Sequence, residues 1–182
     1  MEVKIWSKTA LTIYRFLENF TYAVDRYVKN LSTVIDCSDT YMRTSKIMNL
    51  TDTKIDLINL KIMLDEILLN LPGDMGKLLI LRYMDNAPVL EIAEIMNINI
   101  RTYFRKILAA ENSFEKSLGL KIIENEDMFN NLLNQRWINQ AYTEWQKKLT
   151  EKSGGRLKIP IDAADEIAEL IIRNLKKSKQ LL

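Results

Sequence analysis

The 182-residue chain contains no histidine and one cysteine, Cys37. Imidazole general bases, His-ligated metals and Ser-His-Asp chemistry are therefore excluded. A lone cysteine forms neither an internal disulfide nor a cysteine-rich zinc site, which suits a reducing compartment, and Cys37 lacks the imidazole that usually activates such a nucleophile. Two acidic groups, Asp36 with Asp39 and Glu124 with Glu126 and Asp127, do not repeat at cation-ligand spacing, so turn and N-cap roles account for them. The run Lys152-Ser153-Gly154-Gly155-Arg156 follows a helical pattern rather than a strand and lacks the spacing of a phosphate loop; it reads as a helix end and turn. These residues point away from an enzyme and imply no cofactor or metal.

The remaining chemistry is charge. Lys and Arg total 26 against 24 Asp and Glu, a difference of +2. That is too little for whole-molecule attraction to a polyanion, so any nucleic-acid contact must come from a local patch. Lys147, Lys148, Lys152, Arg156 and Lys158 against Glu151 make one such cluster, and Arg173, Lys176, Lys177 and Lys179 another; both read best as solvated, basic helix ends. Trp137, Tyr142 and Trp145 interleave with Arg136 and Lys148, as base-stacking residues do, but their spacing follows the apolar stripe of a helix, which favours packing. Glu2, Lys4, Lys8, Arg15 and Glu18 interrupt the N-terminal stretch where a signal peptide or membrane span needs a long apolar run. The expectation is a cytoplasmic protein without a membrane partner.

Five glycines and three prolines leave little material for the turns of a β fold, and the apolar spacing is helical. Ala10, Ile13, Tyr14, Leu17, Phe20, Val24, Tyr27, Val28 and Leu31 predict one long helix from about Thr9 to Leu31, with Ser32 to Thr40 as a linker. From Tyr41 a second helix strengthens through Ile55, Ile58, Leu60, Met63, Leu64, Ile67, Leu68 and Leu71, with Thr53 and Asp56 at the spacing of a capping box, and ends at Pro72-Gly73. After Gly119, Met128, Leu132, Leu133, Ile138, Ala141, Tyr142, Trp145 and Leu149 predict one helix from about Glu126 to Lys152. Leu157 to Ile159 admits a short strand, and Asp162 caps a last helix bearing Ala164, Ile167, Ala168, Ile171 and Leu175. The expected fold is all-α: a helical bundle with regions 1–70, 71–120 and 121–182.

Residues 71–118 carry the most information. Punctuation divides them into helices at about Met75 to Met84, Val89 to Met96 and Ile100 to Ser117. The gap Asn97-Ile98-Asn99 makes the last two cross steeply, with Ile92, Ala93, Met96, Ile98, Tyr103 and Ile107 inward. Asn97 tolerates the positive φ such a turn needs, and Asn99 is a good N-cap. The segment resembles region 4 of bacterial sigma factors, in which a lead-in ending in LP precedes LLxLRY, then EIAE, then a recognition helix. The matching residues are Leu71, Pro72, Leu78, Leu79, Leu81, Arg82, Tyr83, Glu91, Ile92, Ala93, Glu94 and Ile98, within 48 of the 182 residues. Region 4 joined to an unrelated helical N-terminus is also similar to small phage late-gene activators of the ArpU type.

The resemblance implies a tri-helical helix-turn-helix module, flanked by long helices, that binds double-stranded DNA by its third helix. Asn99, Arg101, Thr102, Phe104, Arg105 and Lys106 are the implied contact residues. An Arg fork suits guanine O6 and N7, while Lys and Thr suit phosphate. N–H groups at the starts of the second and third helices would add phosphate anchors. Pro88 stands where the family has a capping Ser or Thr. Ile100 and Phe104 admit two uses, contact with a thymine methyl or a buried seam against another helix. Six basic and six acidic residues leave segment 71–120 without net charge. The implied function is transcription regulation, with RNA polymerase and a second copy as further partners. The first helix and the Trp-bearing helix are the expected association surfaces, since aromatics concentrate in interface cores. The alternative is a phage or mobile-element assembly protein that keeps the helix-turn-helix as scaffold.

Overall fold

The computed structural model describes residues 2–33 and 40–150, and every regular element in them is helical. The expected linker at Ser32 to Thr40 lies mostly outside these residues. The Ser153-Gly155 turn, the short strand, the Asp162-capped helix and the basic tail lie wholly outside them. The helices are α1 (Val3–Ile13), α2 (Leu17–Thr33), α3 (Thr40–Asn70), α4 (Met75–Leu79), α5 (Val89–Ile95), α6 (Ile100–Glu124), α7 (Glu126–Leu133) and α8 (Arg136–Thr150). None is long and apolar enough to cross a membrane.

The described residues form two compact units. One comprises 2–15 and 59–150, the other 16–33 and 40–58. In the smaller unit, Phe20, Val24 and Tyr27 of α2 and Leu57 of α3 are buried. Lys54 pairs with Asp25 at 2.6 Å, and the Lys46 ammonium lies 5.1 Å from the Tyr27 ring centre. Such exposed pairs are worth only ~0.2–1 kcal/mol each, so apolar burial holds this unit.

In the larger unit α1 packs on α6 and α8, while α6 also receives α4 and α5. Segment 71–120 therefore shares its core with the first and last described helices. Trp6, fully buried, is the hub: the Phe129 ring meets it edge-on at 4.9 Å and the Tyr142 ring lies 5.4 Å away.

That hub explains why the single helix expected from Glu126 to Lys152 is two. Residues 129 and 142 of one straight helix would lie about 20 Å apart along its axis, too far for both rings to touch one indole. The chain breaks at Asn134 and Gln135, where the Asn139 amide donates to the Leu133 carbonyl at 3.0 Å. The N-terminal helix is likewise divided, by a 3₁₀ turn at Tyr14–Phe16. Just before it, the Thr9 and Thr12 hydroxyls donate to the carbonyls of Ile5 and Lys8, a back-bonding that bends helices.

Two glycines mark close approaches. A Cβ on Gly76 would sit 2.2 Å from the Leu68 carbonyl oxygen, so only glycine lets α4 meet the end of α3. Gly119 does not end a helix, since α6 runs through it to Glu124; a Cβ there would lie 3.1 Å from the Val3 side chain, and α1 uses that space. Gly73, at φ +59°, makes the turn after α3. Thr53 and Asp56 are not a capping box: both lie inside α3, where the Thr53 hydroxyl donates to the Asn49 carbonyl.

Candidate nucleic-acid interface

Helix α4 continues into a widened π turn, Ile80–Met84, closed by the Asp85 N–H on the Ile80 carbonyl at 3.1 Å. Asn86, at φ 56°, and Pro88 then redirect the chain into α5. α5 ends where the Asn97 and Ile98 N–H groups return to the carbonyls of Glu94 and Ala93, with Asn97 at φ 49°. Asparagine tolerates that left-handed conformation because its short amide hydrogen-bonds locally. Asn99 caps α6: its side-chain oxygen accepts the Thr102 N–H at 2.8 Å. Pro88 caps α5 with no side-chain bond.

The crossing of α5 and α6 is packed by Ile92, Ala93, Tyr103 and Ile107, all buried, with Met96 and Ile98 half-buried at the rim. On the other side of α6, Arg101, Phe104 and Arg105 are exposed, and Thr102 and Lys106 are half-buried. Among the described residues, Arg101, Arg105 and Lys106 form no ion pair. Residues 97–110 contain three basic groups and no acidic one, so the first turns of α6 are locally cationic although the wider segment is neutral. Of the residues expected to meet DNA, Asn99 uses its side-chain oxygen to accept the Thr102 N–H as the cap of α6.

Ile100 and Phe104 are 45% and 57% exposed, so they do not form a buried seam against another described helix. The Phe104 ring rests edge-on against the buried Tyr103 ring at 5.2 Å, which limits its motion. Leu108 continues the exposed stripe one turn further.

What holds α6 in place was not legible in any motif. Glu111, one turn beyond Ile107, accepts the Tyr83 hydroxyl at 2.5 Å and pairs with Lys8 at 2.6 Å, while Lys8 also donates to the Tyr83 oxygen at 3.2 Å. This cluster pins α6 to the π turn and to α1. Burial, reinforced by the adjacent Glu111 carboxylate, pushes the Tyr83 phenol far above its ordinary range, so it stays a neutral donor. Lys8 and Glu111 lie 103 residues apart, beyond any local spacing rule. Tyr83 alone had a signal, as part of the LRY match.

On the two helices expected to associate, Tyr142 packs against Trp6 and the Trp145 indole N–H donates to the Thr12 hydroxyl at 3.0 Å, while Tyr22 of α2 is exposed. A polar hollow of about 350 Å³ lined by Leu133, Asn134, Arg136, Asn139 and Gln140 lies at the α7–α8 junction and includes none of the α6 residues. Among the described residues no three acidic or sulfur ligands converge as a metal site requires.

No protein-family model matches the chain, and no curated protein or solved structure is significantly similar to it.

Proposed function

We propose that the chain is a sequence-specific, DNA-binding transcription regulator of the cytoplasm. Its region-4-like helix-turn-helix comprises α4, α5 and α6, with α6 as the recognition helix. One observation carries this reading: Asn97 and Asn99 shape the turn and cap from which α6 projects, and Arg101 and Arg105 stand exposed and without ion pairs on its first two turns. Arginine forks free of carboxylates are available for guanine edges, and Lys106 for phosphate. The protein works by positioning rather than chemistry, with RNA polymerase as a further partner.

The exposed stripe Ile100, Phe104 and Leu108 favours a second reading. In it the unit is a scaffold in a phage or mobile-element assembly protein, and that stripe meets a protein partner.

Fluorescence anisotropy of generic duplex DNA across a salt series separates the two. Under the DNA reading, binding weakens with salt, and replacing Arg101, Arg105 and Lys106 together by Ala lowers affinity. The log–log slope also becomes shallower by up to ~0.9 for each phosphate contact removed. Absence of binding by the unaltered chain at low salt overturns the DNA reading and favours the scaffold.

A further inference from the structure

Helix α3 is apolar on two opposite sides. Leu57, Leu60, Leu64, Ile67 and Leu68 are buried, whereas Tyr41, Met48, Ile55, Ile58, Ile62 and Leu69 are exposed, from 38% at Ile58 to 83% at Tyr41 and Leu69. The buried side serves the fold and the exposed side does not. Five of these, at 41, 48, 55, 62 and 69, recur every seven residues, and Ile58 falls three after Ile55 and four before Ile62; Met42, also exposed, lies off this stripe. That is the 3.5-residue period of a coiled-coil seam, with the first series at a and Ile58 at d.

We infer that α3 pairs in parallel with α3 of a second copy of this chain. Parallel pairing stacks like on like at a, so Tyr41, Met48, Ile55, Ile62 and Leu69 make five apolar layers. The d series is Thr44, Thr51, Ile58 and Asp65, and an antiparallel pair would set the large apolar a residues against these mostly polar ones. Asp65 is turned inward, where it accepts the Tyr14 hydroxyl and pairs with Lys61 at 3.0 Å. One pair of shoulder charges agrees with this orientation: parallel pairing sets g of one copy beside e of the following heptad in the other, which brings Lys61 to Glu66 of the second copy, where each adds to the pair it makes within its own chain, with Asp65 and Lys121 respectively. Antiparallel pairing would bring like shoulders together. Six large side chains from each copy bury an area on the order of the ~1,000 Å² that a specific interface needs.

This inference does not rest on the DNA reading, and its test contains no nucleic acid. Sedimentation equilibrium of the full chain at micromolar concentration should give twice the 21.3 kDa chain mass. The double substitution Ile55→Lys with Ile62→Lys should give a monomer while keeping the helical circular dichroism and cooperative melt, because both side chains point outward. In a Cys37→Ser background, Ile55→Cys should form an interchain disulfide on mild oxidation, since like residues face one another across an a layer. A monomeric unaltered chain, or a double variant that stays dimeric, overturns the interface. A persistent dimer that does not cross-link at position 55 overturns the parallel orientation.

Discussion

Helices α3 and α6 each bury one side and present large apolar residues on another, yet the two exposed faces differ in kind. On α3 the outward residues keep a seven-residue step from Tyr41 to Leu69, and no arginine lies on the stripe. On α6 the outward residues Ile100, Phe104 and Leu108 keep a four-residue step over two turns and run beside Arg101 and Arg105. Exposure alone does not distinguish a helix partner from a nucleic-acid partner; period and flanking charge do. A straight helix partner needs a seam that stays on one side over many turns, whereas a DNA groove admits only the first turns of a helix and needs cations there.

The most severe way to break this contrast is to remove the charge from α6. Replacing Arg101, Arg105 and Lys106 by Ala should lower duplex affinity roughly 100-fold or more, given ~1–3 kcal/mol for each bidentate arginine contact. The sedimentation mass should not move, because these residues lie outside the α3 seam; a changed mass would merge the two faces into one. Gly76→Ala strikes the inner side of α3 instead. The new Cβ would meet the Leu68 carbonyl, and overpacking against backbone should cost about 3 kcal/mol, read as a lower denaturation midpoint.

A smaller effect is expected at the cluster that holds α6. Tyr83→Phe leaves Glu111 and Lys8 paired but deletes the hydroxyl between them, for a loss of roughly 1–2 kcal/mol by thermal melting. If the melt is unchanged, the Lys8–Glu111 pair alone sets the placement of α6. The smallest effect concerns α3. Partial burial, aided by the Asp52 carboxylate one turn away, raises the Asp56 carboxyl above its usual value. A raised carboxyl means that the charged form opposes folding, and that the penalty fades as pH falls and the group protonates. Asp56→Asn should therefore gain ~0.2–0.5 kcal/mol at neutral pH and nothing in strong acid. An equal gain at both pH values would show that the repulsion is not the cause.

The fold class and the inward positions were legible because both follow from local period. Ala10, Ile13, Leu17, Phe20, Val24 and Tyr27 are all buried, as their spacing requires. The turn at Asn97 and the cap at Asn99 were legible for the same reason, since each acts within three residues of itself. The breaks were not. The α7–α8 break answers to packing: Phe129 and Tyr142 must both reach Trp6, which lies over a hundred residues earlier, while the 3₁₀ turn after Ile13 follows the Thr9 and Thr12 hydroxyls that return to backbone carbonyls, with no glycine or proline to mark it. Gly119 misled because a glycine needed for close approach has the same letter as one that ends a helix. Ile55 and Ile58 belong to the same helical run as Leu60, Leu64, Ile67 and Leu68, but they lie on the exposed side of α3 while those four are buried. On the candidate interface, the resemblance pointed to Arg101 and Arg105, which are exposed, while the Lys8–Tyr83–Glu111 cluster needed three distant segments to meet.

In the proposed function the first turns of α6 read base sequence. Repeated selection of binding sites from a pool of random duplex DNA tests it most directly, with the full chain and the Arg101/Arg105/Lys106 to Ala variant in parallel. The unaltered chain should enrich a short motif containing guanine, and the variant should enrich none. A pool that stays random after selection with the unaltered chain, or a motif that the variant recovers equally well, would contradict it.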